Sequence, residues 1–460
     1  MQIPTIAEAS REIAEGRLSP VALAEACLAR LSTGEPKVNA FIRLTKDAAI
    51  AAARTAAAEI KAGRSRGPLH GIPFAHKDIY GTAGIPTTAH SKLLADYVPM
   101  ENAFTVEKLA AAGVVSFGKL ATHEFAWGGP SFDLPWPPAR NPWNTAHFPG
   151  GSSSGTGAAV AAGFVLGGTG SDTGGSIRLP ASFCGLAGIK PTYGLCSRTG
   201  IQPLAFTLDH AGPLAWTVED CAILLEAMAG HDPNDPASLD APVPRYRELL
   251  GRGVAGLRIG IVRHFYETDI AAAPEVGSAM AESVRTFERL GARVGDVELP
   301  PLQDWAACGM LIMIAEAYAV HEPWLKSRFN DYGELFRDRV VHGAFISSAD
   351  YLAAARMRRE LRQSLAKVLW SFDLLILPTT PSPAPLMTEV TKYGGFEQPN
   401  LTMPFNVAGT PALALCNGFS AGGLPLSLQI VGRPLEDAMV LAAGHAYEQA
   451  TEWRGRRPEL

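Results

Sequence analysis

Two hydrophobic periods alternate along most of the chain. Between residues 46 and 62, alanines and isoleucines recur at helical spacing among charged positions, and Ser19 with Pro20 supplies an N-cap and an N1 proline for a helix through Leu31. The same period predicts helices over 105–112, 218–229, 274–290, 349–370 and 436–450. Short apolar runs bounded by Gly or Pro at 71–75, 114–118, 257–262, 374–377, 412–416 and 426–431 read as strands of a sheet covered on both faces. This alternation predicts an α/β fold.

One stretch breaks the pattern. Residues 141–197 carry only three charges, Asp172, Arg178 and Lys190, and residues 150–175 contain ten glycines. A segment so poor in charge is expected to be buried, and one so rich in Gly and Ser must satisfy its backbone through unusual turns. The chemistry is expected there. The Pro-rich stretch 232–244 reads as a surface connection between two portions of the fold.

Composition narrows the function classes. The chain has 460 residues, 47% hydrophobic and 18% charged, which suits a large buried core. Lys and Arg total 40 against 45 Asp and Glu, a net charge of −5 with no polybasic run, so nucleic acid is not an expected ligand. The six cysteines are scattered without a C-x-x-C pair, as reduced thiols would be. The first residues lack a signal-peptide pattern and no apolar run is long enough to span a bilayer, so the expectation is a soluble cytoplasmic protein with no membrane contact. The histidines form no H-x-x-H or H-E-x-x-H, and no zinc site is inferred.

Several motifs compete for Gly150–Gly157, GGSSSGTG. A phosphate loop fails because no lysine follows Gly155, and the dinucleotide fingerprint G-x-G-x-x-G is missing. G-x-S-x-G is matched at residues 151–155, which would make Ser153 the nucleophile of an α/β-hydrolase elbow with His445 as its late histidine; the residues before it do not read as a strand. A second cluster, Asp172-Thr173-Gly174-Gly175-Ser176-Ile177-Arg178, allows consecutive N–H groups to converge as an oxyanion hole requires, although a tight turn with Ser176 capping a helix reads the same residues. The third element is Lys77, which follows the apolar run from Gly71. A lysine held in an apolar site can lose its proton and serve as a base.

The run GGSSSGTGAAVAAGFVLGGTGSDTGGSIRLPASFCGLAGIKPTYG, residues 150–194, resembles the signature of the amidase signature hydrolases, serine enzymes that cut carbon–nitrogen bonds. GIPFAHKDIYGTAGIPTTAHS (71–91), ATHEFAWGG (121–129), ARNPWNTAHFPGG (139–151), MPFNVAGTPAL (403–413) and LPLSLQIVGRP (424–434) follow in the order the family uses, so the resemblance covers essentially the whole chain. It implies an α/β fold with a mixed central sheet covered by helices on both faces, in one domain over 1–460. Its signature core would span about 71–230, and a portion of about 245–460 would complete the sheet and pocket. It implies a serine, cis-serine, lysine triad: Ser176 as nucleophile, Ser152 as the bridging serine with a cis peptide, Lys77 as base. Backbone N–H groups of Thr173, Gly174, Gly175 and Ser176 would form the oxyanion hole, Ser153 would support the lysine network, and Asp172 with Arg178 would pin the loop. The family needs no metal or cofactor.

The family includes amidases, hydrolases of urea-like and biuret-like compounds, carbamate-cleaving enzymes and the glutaminase components of amidotransferases, and the triad does not separate them. In those glutaminases an acid lies three positions before the residue that is Thr402 here, where this chain has Pro399, which disfavours glutamine. Phe125, Trp127, Phe132 and Trp136, with Met313 among Met310, Ile312 and Ile314, are expected to line an apolar pocket, and the expected substrate is a neutral aryl or alkyl amide or carbamate, with some esterase activity. The alternatives are a urea-type hydrolase, the glutaminase component of an amidotransferase, the Ser153 esterase, and a non-enzymatic binding module of the same fold. A small molecule is the expected partner, and the oligomeric state is open, a homodimer included.

Overall fold

The computed structural model describes residues 3–460. Eleven strands form one sheet: β1 (Phe41–Leu44), β2 (Pro73–Lys77), β3 (Val115–Leu120), β4 (Gly167–Asp172), β5 (Ala187–Lys190), β6 (His210–Ala215), β7 (Arg258–Ile261), β8 (Arg293–Asp296), β9 (Leu374–Pro378), β10 (Ala412–Phe419) and β11 (Pro425–Val431). Their order is β1-β3-β2-β4-β6-β5-β10-β11-β9-β7-β8. The sheet is mixed: β2 runs parallel to β3 and β4, and β7 parallel to β8 and β9, whereas β4–β6, β5–β10 and β10–β11 are antiparallel. Helices cover both faces, and the central strands β2, β4, β5, β6, β9 and β11 are buried along their whole length.

The helices read from periodicity form close to their expected bounds. Lys46–Lys61, Val218–Met228, Pro274–Arg289 and Asp437–Gln449 each match within two residues at either end. The first capped helix is the exception, because Pro20–Val38 continues well past Leu31. Ser19 caps its start through the Val21 N–H, and Asn39 ends it in the left-handed region. No helix among the described residues is long and apolar enough to cross a membrane.

Sheet order positions the site. Strands β2 and β4 are parallel neighbours, so Lys77 at the C-terminal end of β2 comes beside Ser171 and Asp172 at the same end of β4. Both strands feed loops on that edge, the usual place for a site in a sheet with parallel strands. The helix Ser154–Ala161, buried at every position, packs on β4 and delivers Ser152 and Ser153 from its N-terminal side.

Candidate active site

Lys77 is fully buried, and its Nζ donates or accepts within reach of three serines: Ser152 Oγ at 2.7 Å, Ser171 Oγ at 2.9 Å and Ser153 Oγ at 3.0 Å. Its backbone is held by Thr169 Oγ1, 2.9 Å from Lys77 N. Thr169 and Ser171 are two apart on β4 and therefore face the same side, so one strand fixes both ends of the lysine. Burial pushes the Lys77 pKa down to about 7, while the charges of Asp172 and Asp209 hold it from falling further.

The Gly151–Ser152 peptide is cis. The Ser152 carbonyl accepts from Thr122 Oγ1 at 3.0 Å and from the His123 N–H at 3.1 Å, which fixes the turn from below. A side chain at Gly151 is impossible here, since its Cβ would lie 1.9 Å from the His123 ring. Ser152 and Ser176 line one cavity of about 160 Å³ with His123, Trp127, Thr173, Gly174, Met310, Met313, Arg339, Asn400 and Met403 among the walls. Ser152 is buried, and Ser176 is the more open of the two.

The loop 172–176 is organised by Asp172. Its carboxylate accepts the N–H groups of Gly175 at 2.7 Å, Ile177 at 3.2 Å and Arg178 at 3.4 Å. Burial pushes this carboxyl up, but the Arg178 guanidinium, 2.9 Å away, outweighs it and holds the group well below the ordinary carboxylate range. Arg178 in turn reaches the Thr402 carbonyl, Gln429 Oε1 and Asn406 Oδ1, tying the loop to the C-terminal part of the chain. Of the four expected oxyanion donors, the Gly175 N–H is engaged by Asp172 and Gly175 is not among the cavity-lining residues, whereas Thr173, Gly174 and Ser176 line the cavity and their N–H groups are not taken by Asp172. Gly175 has φ +138°, and a Cβ on it would meet Thr402 Oγ1 at 2.3 Å, so only glycine fits.

Ser153 is fully buried and bound to Lys77, with no histidine partner, and His445 lies on the helix Asp437–Gln449 outside the cavity. The α/β-hydrolase arrangement is therefore not formed. Of the expected apolar lining, Trp127 and Met313 face the cavity. Phe125 does not: its ring packs into an aromatic cluster with His321, Trp324, Tyr332 and Phe336. Phe132 is 65% exposed, and Trp136 packs its ring edge-on to His90, so neither reaches the site. Met310 lines the cavity; Ile312 and Ile314 do not.

Arg339 escaped the sequence reading. It lies on the helix Glu334–Val340 among other charged residues and so reads as a solvated face. In the fold it is only 5% exposed and lines the cavity. Its guanidinium meets the backbone carbonyls of Lys392 at 2.5 Å and Thr391 at 3.4 Å, with the rings of Trp127 and Phe396 each 6.0 Å away. Burial lowers its pKa to about 10, so it stays charged, and it has no carboxylate partner among the described residues. The cavity lining contains no Asp or Glu.

The amidase family model matches residues 22–441, and the chain belongs to that family of carbon–nitrogen hydrolases. Among its relatives is a glutamyl-tRNA(Gln) amidotransferase subunit of Chloroflexus aurantiacus, 40% identical over 99% of this chain and 98% of the relative. Similar solved structures include a chain of a vestigial protein complex bearing on the origins of an s-triazine catabolic enzyme, 33% identical with a TM-score of 0.91 over 99% of this chain and 100% of that one. Another is the peptide amidase of Stenotrophomonas maltophilia, 30% identical with a TM-score of 0.87 over 99% and 98% of the two chains.

Proposed function

We propose that the protein hydrolyses the carbon–nitrogen bond of a small amide or carbamate carrying an anionic group, through an acyl-enzyme on Ser176. The observation that carries the reading is the buried Lys77 Nζ, 2.7 Å from Ser152 Oγ in the cavity that Ser176 shares. A lysine with a pKa near 7 holds a free lone pair at mildly alkaline pH and can act as base. Ser152, with one O–H and two lone pairs, passes the proton of Ser176 to Lys77 as the serine oxygen attacks the carbonyl. The negative charge formed on the carbonyl oxygen meets the N–H groups of Thr173, Gly174 and Ser176. Collapse breaks the carbon–nitrogen bond, the departing nitrogen takes the proton back from Lys77 through Ser152, and water then releases the acyl group by the same relay.

Arg339 supports the anionic class. A buried guanidinium satisfied only by backbone carbonyls favours a ligand that brings its own carboxylate. This departs from the neutral substrate that the aromatic segment suggested. Free glutamine fits less well, because its ammonium would meet no acid: the cavity lining has no Asp or Glu, and position 399 is Pro. The test is a comparison of kcat/KM for a carboxylated amide, its uncharged methyl ester analogue and glutamine. A preference for the carboxylated amide supports the reading, and equal or better turnover of the other two refutes it.

A further inference from the structure

Asp209 sits one residue before β6, and β6 pairs with β4 so that His210 lies opposite Asp172. This register brings the Asp209 carboxylate to Thr173, the first residue of the loop that carries Ser176. Asp209 Oδ1 accepts from Thr173 Oγ1 at 2.5 Å, and the same carboxylate accepts from the Leu204 N–H at 2.9 Å and the Ala205 N–H at 3.1 Å. Leu204 lines the catalytic cavity. One carboxylate therefore joins the loop that would hold the oxyanion to a wall of the pocket.

Its charge is also placed apart from the others. Asp172, the carboxylate whose charge acts most strongly on Lys77, is paired with Arg178, whereas Arg198 is paired with Asp235 at 2.6 Å. Asp209 has no ion pair among the described residues. It borders a second cavity of about 340 Å³, also lined by Ser171, Arg198, His210 and Leu204, that adjoins the catalytic one at Ala126 and Leu204. Burial pushes its carboxyl up to about 6, opposed by the Thr173 hydroxyl, the two N–H groups and Arg198, so it is ionised in the range where Lys77 titrates. The groups that face it are Arg198, Lys77, Tyr80 and Thr173. His210, its chain neighbour, and His123, near Lys77, are both held neutral by burial.

We propose that Asp209 is a positioning residue for the hydrolysis, fixing Thr173 and the loop that receives the oxyanion while supplying an unpaired negative charge that favours the protonated form of Lys77. The charge works in the leaving-group step, where protonated Lys77 is the proton source, and the hydrogen bond works in the attack step. This rests on the reading of Ser176 and Lys77 above.

The experiment is a pair of variants read by pH profile. Asp209→Asn keeps the shape and an acceptor but removes the charge, so the acid limb of kcat/KM is expected to move about half a pH unit or more toward lower pH. Thr173→Val removes only the hydroxyl, so kcat is expected to fall about fivefold or more with the limb unmoved. The position of the limb does not depend on the fraction of folded enzyme. A limb unmoved in Asp209→Asn, a limb moved in Thr173→Val, or an unchanged kcat in Thr173→Val overturns the proposal; should Asp209→Asn not fold, Asp209→Ser, which also removes the charge, carries the same limb test. Failure of the underlying reading looks different: the wild-type enzyme would then show no amide turnover or no acid limb at all.

Discussion

The Nζ of Lys77 lies 2.7 Å from the Oγ of Ser152, inside a protein where neither side chain is more than 2% exposed. A charged lysine in such a place would face the full cost of desolvation, and three serine hydroxyls with no carboxylate in hydrogen-bond reach do not repay it. The pair is arranged for a neutral amine.

That arrangement sets the order of losses in a mutant series. Lys77→Met and Ser176→Ala are each expected to lower kcat/KM by about a thousandfold or more, because members of one relay fail together. Ser152→Ala should fall nearly as far. Ser153→Ala removes one of three partners of Lys77 and should be milder. Steady-state kinetics beside circular dichroism checks this, and an active Ser176→Ala would break the scheme.

Lys77 also predicts a stability signature. Its folded pKa of about 7 lies below its unfolded value of about 10.4, so between these limits the unfolded chain binds more protons and stability rises with pH. The penalty is fully present below pH 7 and gone above the unfolded value. The unfolding free energy of Lys77→Met relative to wild type should therefore be most favourable near pH 7 and decline by several kcal/mol toward pH 10. Urea denaturation at the two pH values measures it, and a difference that is flat or grows with pH would contradict a depressed lysine.

Much of this was legible in the chain. Periodicity marked most of the helices but not the longest, Leu302–Ser327, whose apolar residues are not confined to one stripe. The apolar runs marked β2, β3, β7, β9, β10 and β11, because those strands are buried over most or all of their length. Strand β4 was not legible, since Gly-Gly-Thr-Gly-Ser-Asp has no apolar period; its burial comes from close packing of small residues. Ser171 went unseen with it. Arg339 could not be found either, because its burial depends on Trp127 and on residues 391–396 arriving from distant parts of the chain.

Arg339 gives a sharp prediction on substrate choice. Arg339→Gln is expected to lower kcat/KM for a carboxylated amide by about 10–100-fold, the worth of a charge-assisted hydrogen bond, through KM more than kcat. An uncharged amide should lose little. If both substrates lose equally, Arg339 serves only to hold the segment carrying Thr391 and Lys392.

The Asp172–Arg178 pair tests what shapes the loop. Arg178→Met leaves Asp172 buried without its cation, which should cost about 3–5 kcal/mol. The double variant with Asp172→Asn should recover part of that loss, because the uncompensated charge is gone. Thermal unfolding of both variants decides it, and a single variant as stable as wild type would show that the pair is not what holds the loop.

The central claim is that Ser176 forms the acyl-enzyme, and the most direct measurement is peptide mass spectrometry after reaction with a fluorophosphonate, which traps activated serines. The account predicts one adduct, on the peptide carrying Ser176, formed faster as pH rises through about 7 and lost in Lys77→Met. An adduct on Ser153, or labelling of Ser176 that is indifferent to Lys77, would contradict it.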